Sequence, residues 1–496
     1  MNDFAYIIPE ILLGVTLAGI VASEIAYHGE RVRMITATAL FGLGGAFLQT
    51  LLTYRFGPAQ IFGGNLSVDG LSLCFKLFFI VLAALVVLTS AHSREFSSKA
   101  PAVAGGKRAE FCALIIASAL AMCITAASQD LLLGFLSLQF VNLLAHFLAA
   151  FSKNSSRSIE AAIKHLVFAA VAAFLMLYGM ALLFGATHTL NIAVMHQQLV
   201  AHPLPRETGL VVFVLIFSSL SFQFCAFPMH LWAPDVIEGA PTPVSAFLAL
   251  GPRVAGFSLA LRYLLVLFSQ PTLSQGQWQP MTGWDWTQIV ATVSGASMVI
   301  GSLLAFRQTA AKRMVAYLLV AQSGFLLLGI LVLDEIGVAA LLYNLWVDLF
   351  ALIGVFYVIS FLYDHVQSDR LEDLKGMLQR AVPEGIALIL FLACLVGLPP
   401  LPGFLGKFTL IGSAIQHQWY FLSCLAIFAM AVSTLAVARL AFSLVGSFEA
   451  AEPIQTDYDT SRRTLLGALF VPLLLAGVFA EIVLQWAGQS LRFILW

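Results

Sequence analysis

Apolar stretches of about 20 residues, the length a helix needs to cross a bilayer, recur along the whole chain and are separated by short polar connections. They fall at 5–26, 34–54, 71–91, 109–127, 130–152, 160–186, 208–231, 242–268, 287–306, 313–333, 337–363, 384–406, 418–445 and 464–487. This pattern predicts an all-α integral membrane protein with about 14 transmembrane spans. The connections leave no room for a folded soluble unit, so residues 1–496 read as a single polytopic membrane domain.

Basic residues orient the spans. The connections after spans 1, 3, 5, 9, 11 and 13 carry Arg31, Arg33, Arg94, Lys99, Lys107, Arg108, Lys153, Arg157, Arg307, Lys312, Arg313, Arg370, Lys375, Arg380, Arg462 and Arg463. Those after even spans carry little beyond Arg55 and Arg206. By the positive-inside rule the odd connections are cytoplasmic and both termini lie outside. The opening residues "MNDFAYIIPE" lack a basic segment, so span 1 reads as a retained helix rather than a cleaved signal.

Proline breaks two spans. Span 7 ends in "FCAFPMHLWAP", with Pro228, and span 12 reads "CLVGLPPLPGFLGKF", with Pro399 and Pro400. Broken helices in membranes persist only where protein or water satisfies the freed backbone groups, and a corresponding pair of them points to a transporter built from repeats. Spans 4–8 (109–268) and 9–13 (287–445) would be the repeats, after spans 1–3 (1–91) and before a C-terminal helix (464–496). The alternative is that the prolines kink two helices for packing alone.

Composition narrows the function classes. The chain is 60% hydrophobic and 10% charged, against about 25% charged in a soluble domain. Its net charge of −1 provides no basic field for nucleic acid. The six cysteines lie in apolar runs without a C-x-x-C pair and read as packing residues, not metal or Fe–S ligands. Ionisable groups inside the bilayer cost about 2.5–3.5 kcal/mol each and are functional candidates for that reason. They are Glu10, Glu24, Lys76, His146, Lys164, His165, Arg253, Asp348 and Lys407. Glu10, Glu24 and Lys164 lie near span ends, where side chains snorkel. Asp235 and Glu238 read either as solvated loop residues capping span 8 or as proton-uptake groups.

The segment "HLWAPDVIEGAPTPVSAFLALGPRVAGF" resembles the signature of subunit N of the bacterial NADH:quinone oxidoreductase, respiratory complex I. The blocks "SVDGLSLCFKLFF", "SRSIEAAIKHLVF", "RQTAAKRMVAYLLVAQSGFLLLG" and "GLPPLPGFLGKF" agree in order. The resemblance implies fourteen helices with two inverted five-helix repeats, a polar axis through mid-membrane, and coupling of quinone reduction to proton movement in a bacterial inner membrane. It also implies other membrane subunits as partners. No cofactor is implied in this subunit; NADH, FMN, Fe–S clusters and quinone belong elsewhere in the assembly. An Mrp-type cation/proton antiporter subunit, or a non-pumping structural subunit, is the alternative.

The resemblance also marks departures. The family's axis glutamate in span 5 falls on Gln139, its lysine in span 7 on Gln223, its lysine in span 8 on Arg253, and a histidine in span 10 on Gln322. Only the lysine of span 12 is kept, as Lys407. An ion pair replaced by two amides avoids stranding one buried charge, and the amides can bond each other or water. Glutamine exchanges no proton, and arginine effectively never loses one. Two readings follow: a proton path moved to His146, two turns beyond Gln139, and to Asp348, a partner for Lys407 or Arg253; or a span 5–7 half that no longer pumps. His146 also reads as a core histidine bonded to a backbone carbonyl.

Overall fold

The computed structural model describes residues 3–26, 32–93, 108–272, 276–281, 283–446 and 460–491. Arg31, Arg94, Lys99 and Lys107, on which part of the orientation argument rests, lie outside the described residues. The helices are α1 (Ile8–Ala26), α2 (Val32–Thr53), α3 (Gly70–Ala91), α4 (Arg108–Ala127), α5 (Leu131–Ala149), α6 (Ser156–Thr187), α7 (Ile192–Ala201), α8 (Arg206–Phe224), α9 (Trp232–Gly239), α10 (Thr242–Arg262), α11 (Thr287–Arg307), α12 (Ala311–Leu331), α13 (Glu335–Val366), α14 (Met377–Arg380), α15 (Val382–Val396), α16 (Pro402–Gln416), α17 (Tyr420–Val445), α18 (Thr460–Val478) and α19 (Ala480–Leu491).

Among the described residues, 12 helices are long and apolar enough to cross a membrane. The difference from fourteen has a physical cause. The run read as span 12 divides into α15 and α16, 15 residues each, on either side of the proline pair. The last run bends by 84° between Val478 and Ala480. Two hairpins, β1 (Ala59–Ile61) with β2 (Leu66–Val68) and β3 (Ser269–Pro271) with β4 (Trp278–Pro280), qualify the all-helical reading. The first turns through Gly63 and Gly64 at φ 67° and 88°, where glycine carries no Cβ penalty.

Local chemistry starts the helices. The Asp69 carboxylate accepts from Ser72 N while Ser72 Oγ accepts from Asp69 N, a capping box opening α3. Asp130, Ser155, Asn191 and Asp334 cap α5, α6, α7 and α13 in the same way, each side chain accepting a first-turn N–H.

Two elements form the centre. Every residue of α10 is buried, and it packs on α3, α4, α5, α8, α9, α12 and α13. The 32-residue α13 is buried along most of its length, against α3, α10, α12, α15, α16, α18 and α19. Around them, α1, α2, α6 and α17 turn Ile25, Phe41, Phe174 and Phe442 outward, as a lipid-facing surface requires. Arg262, at the end of α10, fixes this centre. It donates twice to Asp69, at 2.9 and 3.1 Å, and from Nε to the Ala126 carbonyl at 2.7 Å, so α3, α4 and α10 meet at one fully buried ion pair. Glu10, expected to snorkel, instead pairs with Lys76 at 2.6 Å.

The two helix breaks are built alike. α8 ends in Cys225 at φ 59° and α15 in Gly397 at φ 91°; each is followed by a cis proline bond, Phe227–Pro228 and Pro399–Pro400. Ala226 N donates to Ser221 O, as Leu398 N does to Ala393 O, both at 2.9 Å. Neighbouring elements satisfy the first break further, since Phe227 N donates to Ser297 Oγ on α11. The second break closes because α16 meets α15 at a glycine: a Cβ on Gly403 would lie 1.8 Å from the Cys394 carbonyl oxygen. Backbone cannot step aside as a flexible side chain can. Gly403→Ala is therefore expected to force the half-helices apart and destabilise the subunit by about 1–3 kcal/mol. Thermal unfolding of the purified protein measures this, and an unchanged midpoint would show that the break has slack.

Candidate functional site

Six helices place polar groups at one buried centre. Arg253 enters from α10 with no exposed surface. Its Nη1 lies 3.3 Å from Asp348 Oδ2 on α13, and its Nε donates to Ser323 Oγ on α12 at 3.2 Å. Nη2 donates to no protein group among the described residues. Asp348 also lies within electrostatic reach of Lys407 on α16. Lys407 is 2% exposed, and its Nζ donates to the carbonyls of Leu395 and Val396 at 2.7 and 2.6 Å. The same ammonium sits 4.7 Å from the Phe325 ring centroid. These carbonyls are the last of α15, where the helix dipole presents its negative end to a cation. The break thus creates a cation site that a continuous helix, with its carbonyls bonded internally, would not offer.

α12 bridges the two breaks with consecutive residues. Gln322 Nε2 donates to the Leu395 carbonyl, at the end of α15. Ser323 Oγ donates to the Phe224 carbonyl, at the end of α8. The resemblance pointed to Gln322. Ser323 was missed, because a serine in an apolar run carries no signal of its own. Among the described residues the first break has no lysine in its cradle: the Phe222 carbonyl accepts from Trp232 Nε1 and the Phe224 carbonyl from a serine, both neutral donors.

Gln139 and Gln223 do not bond each other. Gln139 Oε1 accepts from Asn142 Nδ2 at 3.3 Å and its Nε2 has no protein partner among the described residues. Gln223 is buried on α8, and neither of its amide atoms has a partner among the described residues. It packs against α10, where a Cβ on Gly256 would stand 2.5 Å from Gln223 Cβ. Gly256 is three residues beyond Arg253, so this amide borders the charged centre through α10.

His146 meets a ring rather than a backbone carbonyl. Its Nδ1 lies 2.6 Å from Nδ1 of His165 on α6. Lys164, the neighbour of His165, is not part of the centre; it pairs with Asp235 and Glu160, each at 2.7 Å. Asp235 and Glu238 sit on α9, not in a loop, and do not cap α10, whose N-cap is Pro241. Both bind Arg313, at 2.7 and 2.8 Å. Among the described residues no three metal-ligating side chains converge.

The family described as NADH:quinone oxidoreductase/Mrp antiporter, transmembrane, matches residues 128–433, a stretch that holds both breaks and the whole charged centre. An NADH-quinone oxidoreductase subunit N of Chlorobium chlorochromatii is 32% identical over 417 residues, covering 84% of this chain and 80% of that one. A chain of respiratory complex I from Thermus thermophilus, with bound aureothin, superposes with a TM-score of 0.78 at 27% identity, covering 96% and 99% of the two chains. A chain of the Mrp complex from Dietzia shares the fold, with a TM-score of 0.82 at 17% identity over 98% and 97% of the chains. The family match over residues 128–433, together with 32% identity to a subunit N across 84% of this chain, assigns the chain to the NADH-quinone oxidoreductase subunit N family.

Proposed function

We propose that the chain is the N-type membrane-arm subunit of a proton-translocating NADH:quinone oxidoreductase, and that quinone reduction elsewhere in the assembly drives proton exchange at Lys407. In this reading both termini face the periplasm of a bacterial inner membrane, other membrane subunits flank the chain, and the redox groups reside in those partners. The segments 109–268 and 287–445 are its two inverted units.

The observation that supports it is the Arg253–Asp348–Lys407 centre. It holds two cations and one anion. Arg253 keeps its charge, so loss of the Lys407 proton leaves a compensated Arg–Asp pair and a neutral amine, while gain of the proton adds one charge. The 3.3 Å contact is longer than the usual 2.7–2.9 Å of a charge-assisted bond. A loose pair suits a carboxylate that divides its attraction between two cations. A charge shift arriving from a neighbouring subunit would then bias Asp348 towards one or the other, and so set whether Lys407 holds its proton. Vesicles carrying the complex are expected to take up fewer protons per electron with Lys407→Arg, with quinone reduction still running. An unchanged ratio removes Lys407 from the path.

Gln139 and Gln223 exchange no protons in this scheme. Gln139→Glu alone introduces a membrane carboxylate at a cost of about 2.5–3.5 kcal/mol. Gln139→Glu with Gln223→Lys is expected to assemble better than that single variant. Equal yields would show that the two positions are not electrostatically paired.

A further inference from the structure

The contact between His146 and His165 carries more than packing. Two ring nitrogens 2.6 Å apart require one proton between them. Two bare nitrogens would set lone pair against lone pair, and two N–H groups would collide. The pair therefore exists neutral, with one shared proton and one on an outer Nε2, or with one added proton and both outer nitrogens protonated. It stores a single proton and cannot take two without breaking the contact.

Its surroundings give the pair a direction. His146 is half-buried, one turn from the end of α5, beside the outward-facing Leu143 and Phe147. His165 is completely buried, and its Nε2 has no protein partner among the described residues. The ring packs against Phe222 and Trp232, centroids 5.5 and 4.6 Å away, at the broken end of α8. The next residue is Gln223, whose two amide atoms are buried and unpartnered. Along α5, Asn142 and Gln139 extend the stripe from His146 at helical spacing, and each has an unpartnered buried atom. One turn beyond Trp232 on α9 is Asp235, which with Glu238 gathers Lys164 of α6 and Arg313 of α12; Glu160 completes that ionic cluster. Buried polar atoms seldom stay unbonded, and a row of them marks a path that water can enter.

We propose that His146 and His165 act as one proton-transfer unit, carrying protons from the α5–α6 edge to the broken end of α8 and the Arg253 centre, in place of groups that Gln139 and Gln223 cannot supply. A proton arrives on His146 Nε2, the Nδ1 proton of His146 passes to Nδ1 of His165, and His165 Nε2 releases its own. One proton enters and one leaves; the rings exchange tautomers and reorient before the next transfer. The inference rests on proton exchange at Lys407 and extends it to the first half of the subunit.

The test uses the complete complex in vesicles, reading protons moved per electron beside the quinone-reduction rate, with assembly checked on native gels. His146→Gln and His165→Gln are each expected to lower the ratio by the same fraction, and the double variant by no more than either, as a single relay demands. Wild-type ratios in both single variants, or losses that add in the double, overturn the relay. Lys407→Arg in the same preparation separates the claims: a ratio lowered there but intact in the histidine variants defeats the relay alone, while an intact ratio in Lys407→Arg defeats the underlying scheme. A reading that needs no variant is nitrogen NMR of the histidine-labelled wild-type complex. Coupling between two Nδ1 atoms across a shared proton is expected, and its absence overturns the proposal even if the glutamine variants fail to assemble.

Discussion

Asp348→Leu is expected to destabilise the subunit by about 3–5 kcal/mol, because it leaves the Arg253 guanidinium buried without a counter-charge. Arg253 has no exposed surface and Asp348 is its ion-pair partner. The guanidinium cannot shed its proton to escape the low-dielectric interior. Among the described residues its Nη2 has no protein acceptor, so removing Asp348 leaves Ser323 as the one remaining acceptor there. Arg253→Met is expected to cost less, since a carboxyl left without its partner can take up a proton and become neutral, as a guanidinium cannot become neutral by losing one. The double variant Asp348→Leu with Arg253→Met is expected to recover most of the loss, because apolar side chains of similar size replace a buried pair with little penalty. Thermal unfolding of the detergent-purified protein ranks the three. Equal midpoints for Asp348→Leu and the double variant would mean that the pair is not what holds these helices together.

The largest effect on activity is expected at Lys407, where two substitutions separate charge from proton exchange. Lys407→Met removes both, and also strips donors from the Leu395 and Val396 carbonyls, a loss of about 1–3 kcal/mol for each acceptor left bare. Gln322 still serves the Leu395 carbonyl, so most of this damage falls on Val396. Lys407→Arg keeps a cation against the end of α15 but cannot release a proton. Both are expected to abolish proton transfer through this site, by the roughly 10²–10⁴-fold that a positioned proton-transfer group contributes, with Lys407→Arg the more stable of the two. Proton uptake in vesicles, normalised to quinone reduction, measures it. If Lys407→Arg pumps like the wild type while Lys407→Met does not, Lys407 acts as a fixed charge, and the exchanging group is another.

Much of this architecture was legible along the chain. Apolar runs of bilayer length gave the spans, and Pro228, Pro399 and Pro400 marked the two breaks, because hydrophobic length and proline act through the local backbone alone. The capping box of Asp69 and Ser72, three residues apart before and within "GLSLCF", is equally local but was not read from the sequence. Arg253, Asp348, Lys407 and His146 stand out as ionisable groups within apolar runs, whereas Arg262, nine residues after Arg253 in the same run, was not read as one. The hairpins escaped for a different reason: strands of three residues are too short to show alternation.

Partners were not legible. Glu10 finds Lys76, 66 positions away, and Arg262 finds Asp69 at a separation of 193. His146 finds His165 on the next helix, although either ring alone reads as a core histidine. The two glutamines, read as amides able to bond each other, each keep unpartnered atoms. On its own the sequence determined that the chain is membrane-embedded, where most of its apolar spans fall and where two of them break, since each follows from properties of a residue and its near neighbours. Only the tertiary structure decided which charge faces which, and that Gln322 and Ser323 of one helix would close two separate helix ends. Those pairings depend on the rotation and depth of helices distant in sequence, and an apolar run several residues longer or shorter, or turned about its axis, would read the same.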